Sequence, residues 1–172
     1  GKLAFPVNTS LNVIAAHYVA QGNDPAVVEK GDLLKIDMGV RVDGYLSDSA
    51  FTYCSEKSPL AEAAEQAVQA AVEAIRPGVT VGMVSKAIEE TVQGAGLGLI
   101  VNLTGHGMEQ DMFHAHPSVP NIATHSPVVL EEGQVIAIEP FVAETNGSVR
   151  ESAPTEIYRF IQEKPVRSPD TR

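Results

Sequence analysis

The sequence has little cysteine, no tryptophan and few aromatic residues, which make up 5% of its 172 residues. Its one cysteine, Cys54, cannot form an intramolecular disulfide, so we expect a reducing compartment, the cytoplasm. No apolar run approaches the roughly 20 residues that a membrane-spanning helix needs. Basic residues are also scarce, and the net charge of −10 argues against nucleic acid or an anionic membrane as the main partner.

The order of the predicted elements favours an α+β fold over a doubly wound parallel sheet, because a strand hairpin precedes two consecutive helices. Ser58-Pro59 is typical of a helix start, and Pro77-Gly78 ends that helix. The predicted strands cover residues 33–40, 45–53, 100–103, 135–138 and 155–161, and the predicted helices cover residues 59–75 and 81–95.

Two aspartates within apolar strands are the strongest indication of a site. Asp43-Gly44 is typical of a two-residue hairpin turn, which pairs Val42 with Tyr45 and places Asp48 opposite Gly39. Asp37 then lies on the same face of the sheet, as a diagonal neighbour of Asp48. Aspartate is uncommon in strands, so this pair predicts a metal site. The alternative is one exposed aspartate and one that caps a loop.

Histidines and one glutamate extend this candidate set. His106 lies between two glycines in an expected turn, and Glu139 ends an apolar strand, where burial is costly without a cation. His114 and His116 are two residues apart, so an extended segment places both on one side. They are then metal ligands, substrate-binding groups or part of a solvated rim. His17 lies in an apolar setting that favours a core histidine or a proton-transfer group. His125 is expected in a surface loop.

The segments AFPVNTSLNVIAAHY, KIDMGVRVDGYLSDSAFT, NLTGHG…HAHPSVPN and VIAIEPF together resemble the archaeal form of the type II methionine aminopeptidases, peptidase family M24. The resemblance runs from about Leu3 to Phe160. It implies the pita-bread fold, with a curved, antiparallel-rich sheet and helices on its outer face. We expect one catalytic core over residues 1–172, incomplete at both ends relative to that family, with residues 162–172 as a linker or cut end.

The resemblance also implies roles for individual residues. Two divalent ions, of Mn, Fe, Co or Zn, would be held by the ligand positions Asp37, Asp48, His106 and Glu139. His17 and His114 would be catalytic and contact the scissile amide, and with Phe5 and Phe113 they would form the substrate-binding residues.

The implied activity is removal of the N-terminal methionine from nascent proteins and peptides by a hydroxide that the two ions activate. Two alternatives stay open: a catalytically incomplete protein that binds a peptide or protein, and a proline-specific peptidase of the same fold. The sequence departs from the family in two respects. His116 stands where the family has a small residue, and the family's fifth ligand, a glutamate nearer the C-terminus, has no counterpart, so a missing C-terminal segment is a possible partner.

Overall fold

The computed structural model describes residues 1–153 and 157–158. Within them it contains two helices and nine strands, in an α+β arrangement of antiparallel sheets. The predicted strand at residues 155–161 and the predicted linker at 162–172 lie outside the described residues, except for Ile157 and Tyr158. The elements are β1 (Lys2–Leu3), β2 (Asn8–Leu11), β3 (Leu33–Val42), β4 (Tyr45–Cys54), α1 (Pro59–Ala74), α2 (Val81–Gly94), β5 (Gly98–Leu99), β6 (Thr104–Glu109), β7 (Met112–Pro120), β8 (Val135–Ala137) and β9 (Val142–Ala143).

The first sheet is built around the β3–β4 hairpin, whose predicted register is confirmed. Val42 pairs with Tyr45 and Gly39 pairs with Asp48, so the two-residue turn has no bulge. Asp43 and Gly44 have φ angles of 51° and 86°, the left-handed conformation that this turn requires. On its other edge β3 pairs with β1 and β2, and Asn8 of β2 faces Asp37.

The two helices pack against each other and against β5, β7 and β9. The Ser58 hydroxyl accepts a hydrogen bond from the Ala61 amide at the start of α1, and the Thr80 hydroxyl accepts one from Met83 at the start of α2. Small residues on α1 permit close packing, since Ala67 and Ala71 are fully buried. The core formed with α2 consists mainly of Val84, Ile88, Val92, Leu99, Val119 and Leu130.

The second sheet has the order β7-β6-β8. Two predictions for this region are wrong. The prediction of a strand at residues 100–103 is wrong, because β5 ends at Leu99 and β6 begins at Thr104. Gly105-His106-Gly107 is the interior of β6 rather than a turn. Neighbouring backbone lies too close to both glycines for a side chain to fit. A Cβ at Gly105 would meet the Ala137 carbonyl, and one at Gly107 would meet the His116 carbonyl.

The tip of the β3–β4 hairpin contacts the turn between β6 and β7, which sets the two sheets beside each other. The Asp111 amide donates to the Gly44 carbonyl at 2.9 Å, and the Gln110 side-chain amide donates to the Asp43 carbonyl at 3.0 Å. Asp111 also forms an ion pair with Arg41 of β3. These contacts hold strands that are distant in sequence at the positions from which their side chains converge. No helix in the described part of the chain is long and apolar enough to cross a membrane.

Candidate metal centre

Three potential ligands from three separate strand regions meet between the two sheets. Nε2 of His106, on β6, lies 3.4 Å from Oδ2 of Asp48 on β4 and 3.2 Å from Oε1 of Glu139, just after β8. The three ligand atoms all lie within 4.8 Å of one another. Asp37, on β3, lies within electrostatic range of both Asp48 and His106. All four predicted ligands are therefore gathered in one place.

The hydrogen bonding of His106 identifies the nitrogen that faces the carboxylates. Nδ1 lies 2.9 Å from the backbone carbonyl of Gly107, which can only accept a hydrogen bond, so the proton belongs on Nδ1. In the neutral imidazole, Nε2 then carries a lone pair and points toward two carboxylates. A lone pair beside two negative charges is unfavourable unless a proton or a cation lies between them, and a hydrogen bond from Nδ1–H to a backbone carbonyl is a usual way to orient a metal-binding histidine.

The carboxyl groups also fit a divalent cation. Oδ1 of Asp37 and Oε1 of Glu139 are buried and have no hydrogen-bond partner among the described residues, which is costly for a carboxylate that lacks a cation. Burial, with the negative charge of Asp48, raises the pKa of Asp37 to about 6 and that of Glu139 to about 7. A bound metal ion would lower both pKa values and give the unpaired oxygens a partner. This set of oxygen ligands with one imidazole suits Mn²⁺, Fe²⁺, Co²⁺ or Zn²⁺.

Aromatic and imidazole rings line one side of the metal-ligand group. The ring centroids of His106 and His114 are 4.4 Å apart, and that of Phe113 is 5.4 Å from His106. Phe5 meets Phe113 edge to face at 5.1 Å. Burial, and next the charge of His106, lowers the pKa of His114, and His17 is close enough to lower it further. The structure thus places Phe5, Phe113 and His114 beside the metal-ligand group, and His17 within electrostatic range of His114.

The expectation that His17 is a core histidine is wrong, because His17 is exposed. Its φ of 66° is left-handed, an uncommon conformation for a residue other than glycine. His125 lies exposed in a loop, as predicted.

Sequence reasoning missed Asn8, which is 1% exposed and pairs with Asp37 across β2 and β3. Its side-chain amide donates to the Pro6 carbonyl at 2.6 Å, while its Oδ1 has no hydrogen-bond partner among the described residues. The signal in the sequence is weak: one asparagine in a short segment, without a neighbouring motif. Its position opposite Asp37 follows only from the pairing of β2 with β3.

Comparison with known proteins agrees with this geometry. The family model for metallopeptidase family M24 matches residues 1–167. Among curated relatives, the methionine aminopeptidase of Thermococcus onnurineus is 45% identical over all of this chain. The crystal structure of methionine aminopeptidase from Thermotoga maritima aligns with a TM-score of 0.73 and 31% identity over 80% of this chain and 57% of that one.

A prolidase from Pyrococcus furiosus has the same fold, with a TM-score of 0.65 and 26% identity over 84% of this chain and 44% of that one. The chain spans 59% of the length of the Thermococcus relative. The resemblance inferred from the sequence and the pita-bread fold that it implies are both confirmed.

Proposed function

Because this chain belongs to metallopeptidase family M24, we propose that it acts in the removal of the N-terminal methionine from peptides and nascent proteins. The observation that carries the proposal is the group of Asp48, His106 and Glu139 with Asp37 beside it, together with the buried unpaired oxygens of Asp37 and Glu139 and the imidazole lone pair that faces them. The methionine aminopeptidases among its relatives support methionine as the residue removed.

In this proposal these four residues hold two divalent ions. When bound, the ions supply an activated water and polarise the first peptide carbonyl. The charge of Asp48 acts on both Asp37 and Glu139, so Asp48 would help to hold a cation together with either of them. The hydrogen bond from Nδ1–H of His106 to the backbone carbonyl of Gly107 holds Nε2 toward the ligand group.

The substrate-facing residues divide into two pairs. Phe5 and Phe113 offer an apolar edge-to-face pair beside the ligand group, and a thioether side chain packs well against aromatic rings. His114 has a lowered pKa and is therefore neutral near pH 7, so its imidazole can donate one hydrogen bond to the scissile amide. His17 lies within electrostatic range of His114, and in this proposal it holds or gives a proton to the leaving amine.

Two other functions are less well supported. A peptide-binding protein without catalysis would not need a buried carboxylate group whose oxygens lack partners. A proline-specific peptidase would share the fold, but the methionine aminopeptidase from Thermotoga maritima aligns with a higher TM-score than the prolidase. The single cysteine agrees with a cytoplasmic location for this activity, where nascent chains are found.

The test is detection of free methionine by mass spectrometry after the purified chain is incubated with a Met-Gly peptide and Mn²⁺ or Co²⁺. We expect release that EDTA stops and that Asp48→Asn reduces by at least about 1,000-fold, because that change removes a ligand charge. The matched control is Asp43→Asn, since Asp43 is an exposed turn residue whose left-handed φ asparagine tolerates.

Equal loss in both variants would indicate damage to the hairpin rather than to the metal site. A folded chain that binds Mn²⁺ but releases no methionine would overturn the proposal. In that case the binding of uncleaved peptide would favour the peptide-binding alternative.

A further inference from the structure

His116 connects the candidate site to a second cavity along the same sheet face. One cavity, of about 360 Å³, is lined by His106, His114 and His116 together with Thr104, Met112, Ala115 and Ser118. The other, of about 570 Å³, is lined by His116, Pro117, Ser118, Pro120, Thr124, Ser126 and Val128. Because His116 and Ser118 line both, the two cavities adjoin at these residues, and we refer to the pair as the groove.

A bulge in β7 places His116 at this junction. His106 pairs with Ser118 and Gly107 pairs with Ala115, so His116 and Pro117 have no partner residue on β6. Bulges of this kind redirect a side chain relative to the regular strand. The imidazole is exposed, and no hydrogen bond engages it within the described part of the chain. By contrast, the Ser118 hydroxyl already donates to Thr104 at 3.0 Å.

The order of side chains along β7 sets a direction for a bound peptide. Phe113 belongs to the apolar pair proposed for methionine, His114 adjoins the ligand group, and His116 comes next along the strand. Two residues of extended chain span roughly 7 Å, so a peptide running beside β7 would reach His116 about two residues beyond its scissile bond. The second cavity follows, and Pro117, Pro120 and Val128 give it a largely apolar lining.

We propose that His116 hydrogen-bonds the substrate backbone about two residues beyond the scissile bond, and that the second cavity takes an apolar side chain that follows. This inference rests on the proposed function and names its substrate class: extended peptides of four or more residues with an apolar residue near position four. His116 is thus a residue that determines specificity, and it does not take part in bond cleavage.

The test compares kcat/KM for Met-Gly and for Met-Gly-Gly-Leu, with Mn²⁺, in the unmodified chain, His116→Ala and His116→Asn. We expect His116→Ala to raise KM for the tetrapeptide 5- to 10-fold, the equivalent of about 1 to 1.4 kcal/mol for one hydrogen bond. The values for Met-Gly should stay within about twofold. His116→Asn should restore part of the loss, because asparagine also donates and accepts. Asp43→Asn, in the exposed turn between β3 and β4 and outside both cavities, is the control.

An equal loss for both peptides would indicate a structural effect and would overturn the inference, as would no change for either peptide. The same variants are also tested for binding of Met-Gly-Gly-Leu by calorimetry, in protein treated with EDTA. If the unmodified chain releases no methionine, the proposed function fails, and the binding ratio between the unmodified chain and His116→Ala then decides the role of His116. A ratio near one would refute it.

Discussion

Gly39 connects the stability of the first sheet to the proposed methionine pocket, and replacing it with alanine should damage both. A Cβ at this position would lie 2.5 Å from Cε1 of Phe5 and 2.9 Å from the backbone carbonyl oxygen of Ser47. Both distances are shorter than van der Waals contact permits. The Phe5 ring must therefore move, and the pairing of β3 with β4 must distort, because the second clash is with backbone.

The size of the effect follows from these contacts. Overpacking of this kind typically costs about 1 to 3 kcal/mol, and loss of the edge-to-face contact between Phe5 and Phe113 adds about 0.5 to 1.5 kcal/mol. Together these costs are about 1.5 to 4.5 kcal/mol, and for a chain of this length each kcal/mol lowers the melting temperature by about 2 to 4 °C, so we expect a fall of about 3 to 18 °C. A displaced Phe5 should also raise KM for Met-Gly.

The assay is thermal unfolding followed by circular dichroism, with Gly94→Ala as the matched control. Gly94 is the last residue of α2, and a Cβ there would meet nothing within 4 Å. Alanine at that position should be neutral or stabilise by up to about 1 kcal/mol. An unchanged or higher melting temperature for Gly39→Ala would refute the reasoning, because it would mean that Phe5 does not occupy the space beside Gly39.

Three further predictions concern the site and the helices. Burial and the charge of Asp48 raise the pKa of Asp37 to about 6 and that of Glu139 to about 7, so in metal-free protein both retain protons that the unfolded chain has released. The stability of EDTA-treated protein should therefore fall from about pH 4 to pH 7, with a shallower slope in Glu139→Gln; an equal slope in both proteins would contradict this. His114→Ala should lower kcat about 100- to 10,000-fold and leave Mn²⁺ affinity, measured by calorimetry, within about threefold; a parallel loss of affinity would make His114 a ligand. Ser58→Ala should cost about 1 kcal/mol in chemical denaturation, because it removes the N-cap of α1; no loss would show that solvent replaces the cap.

Features that depend on neighbouring residues were predictable from the sequence. The turn at Asp43-Gly44 needs left-handed backbone at both positions, and these two residues adopt it readily, so the turn fixed the register and placed Asp37 and Asp48 on one face. Ser58-Pro59 likewise predicted the start of α1. The serine hydroxyl caps the first turn, and proline, which has no backbone N–H, suits the first helical position.

What the sequence could not supply is the meeting of distant strands. Gly105 and Gly107 were expected to form a turn, yet they are strand residues, because the carbonyls that approach them come from β8 and β7. The position of Asn8 opposite Asp37 depends in the same way on sheet pairing, and the groove beside His116 depends on a bulge. Local sequence determined the turns, the caps and the chemistry of each ligand. Only the tertiary structure brought Asp37, Asp48, His106 and Glu139 together, because the contacts between the hairpin tip and the β6–β7 turn join segments far apart in the chain.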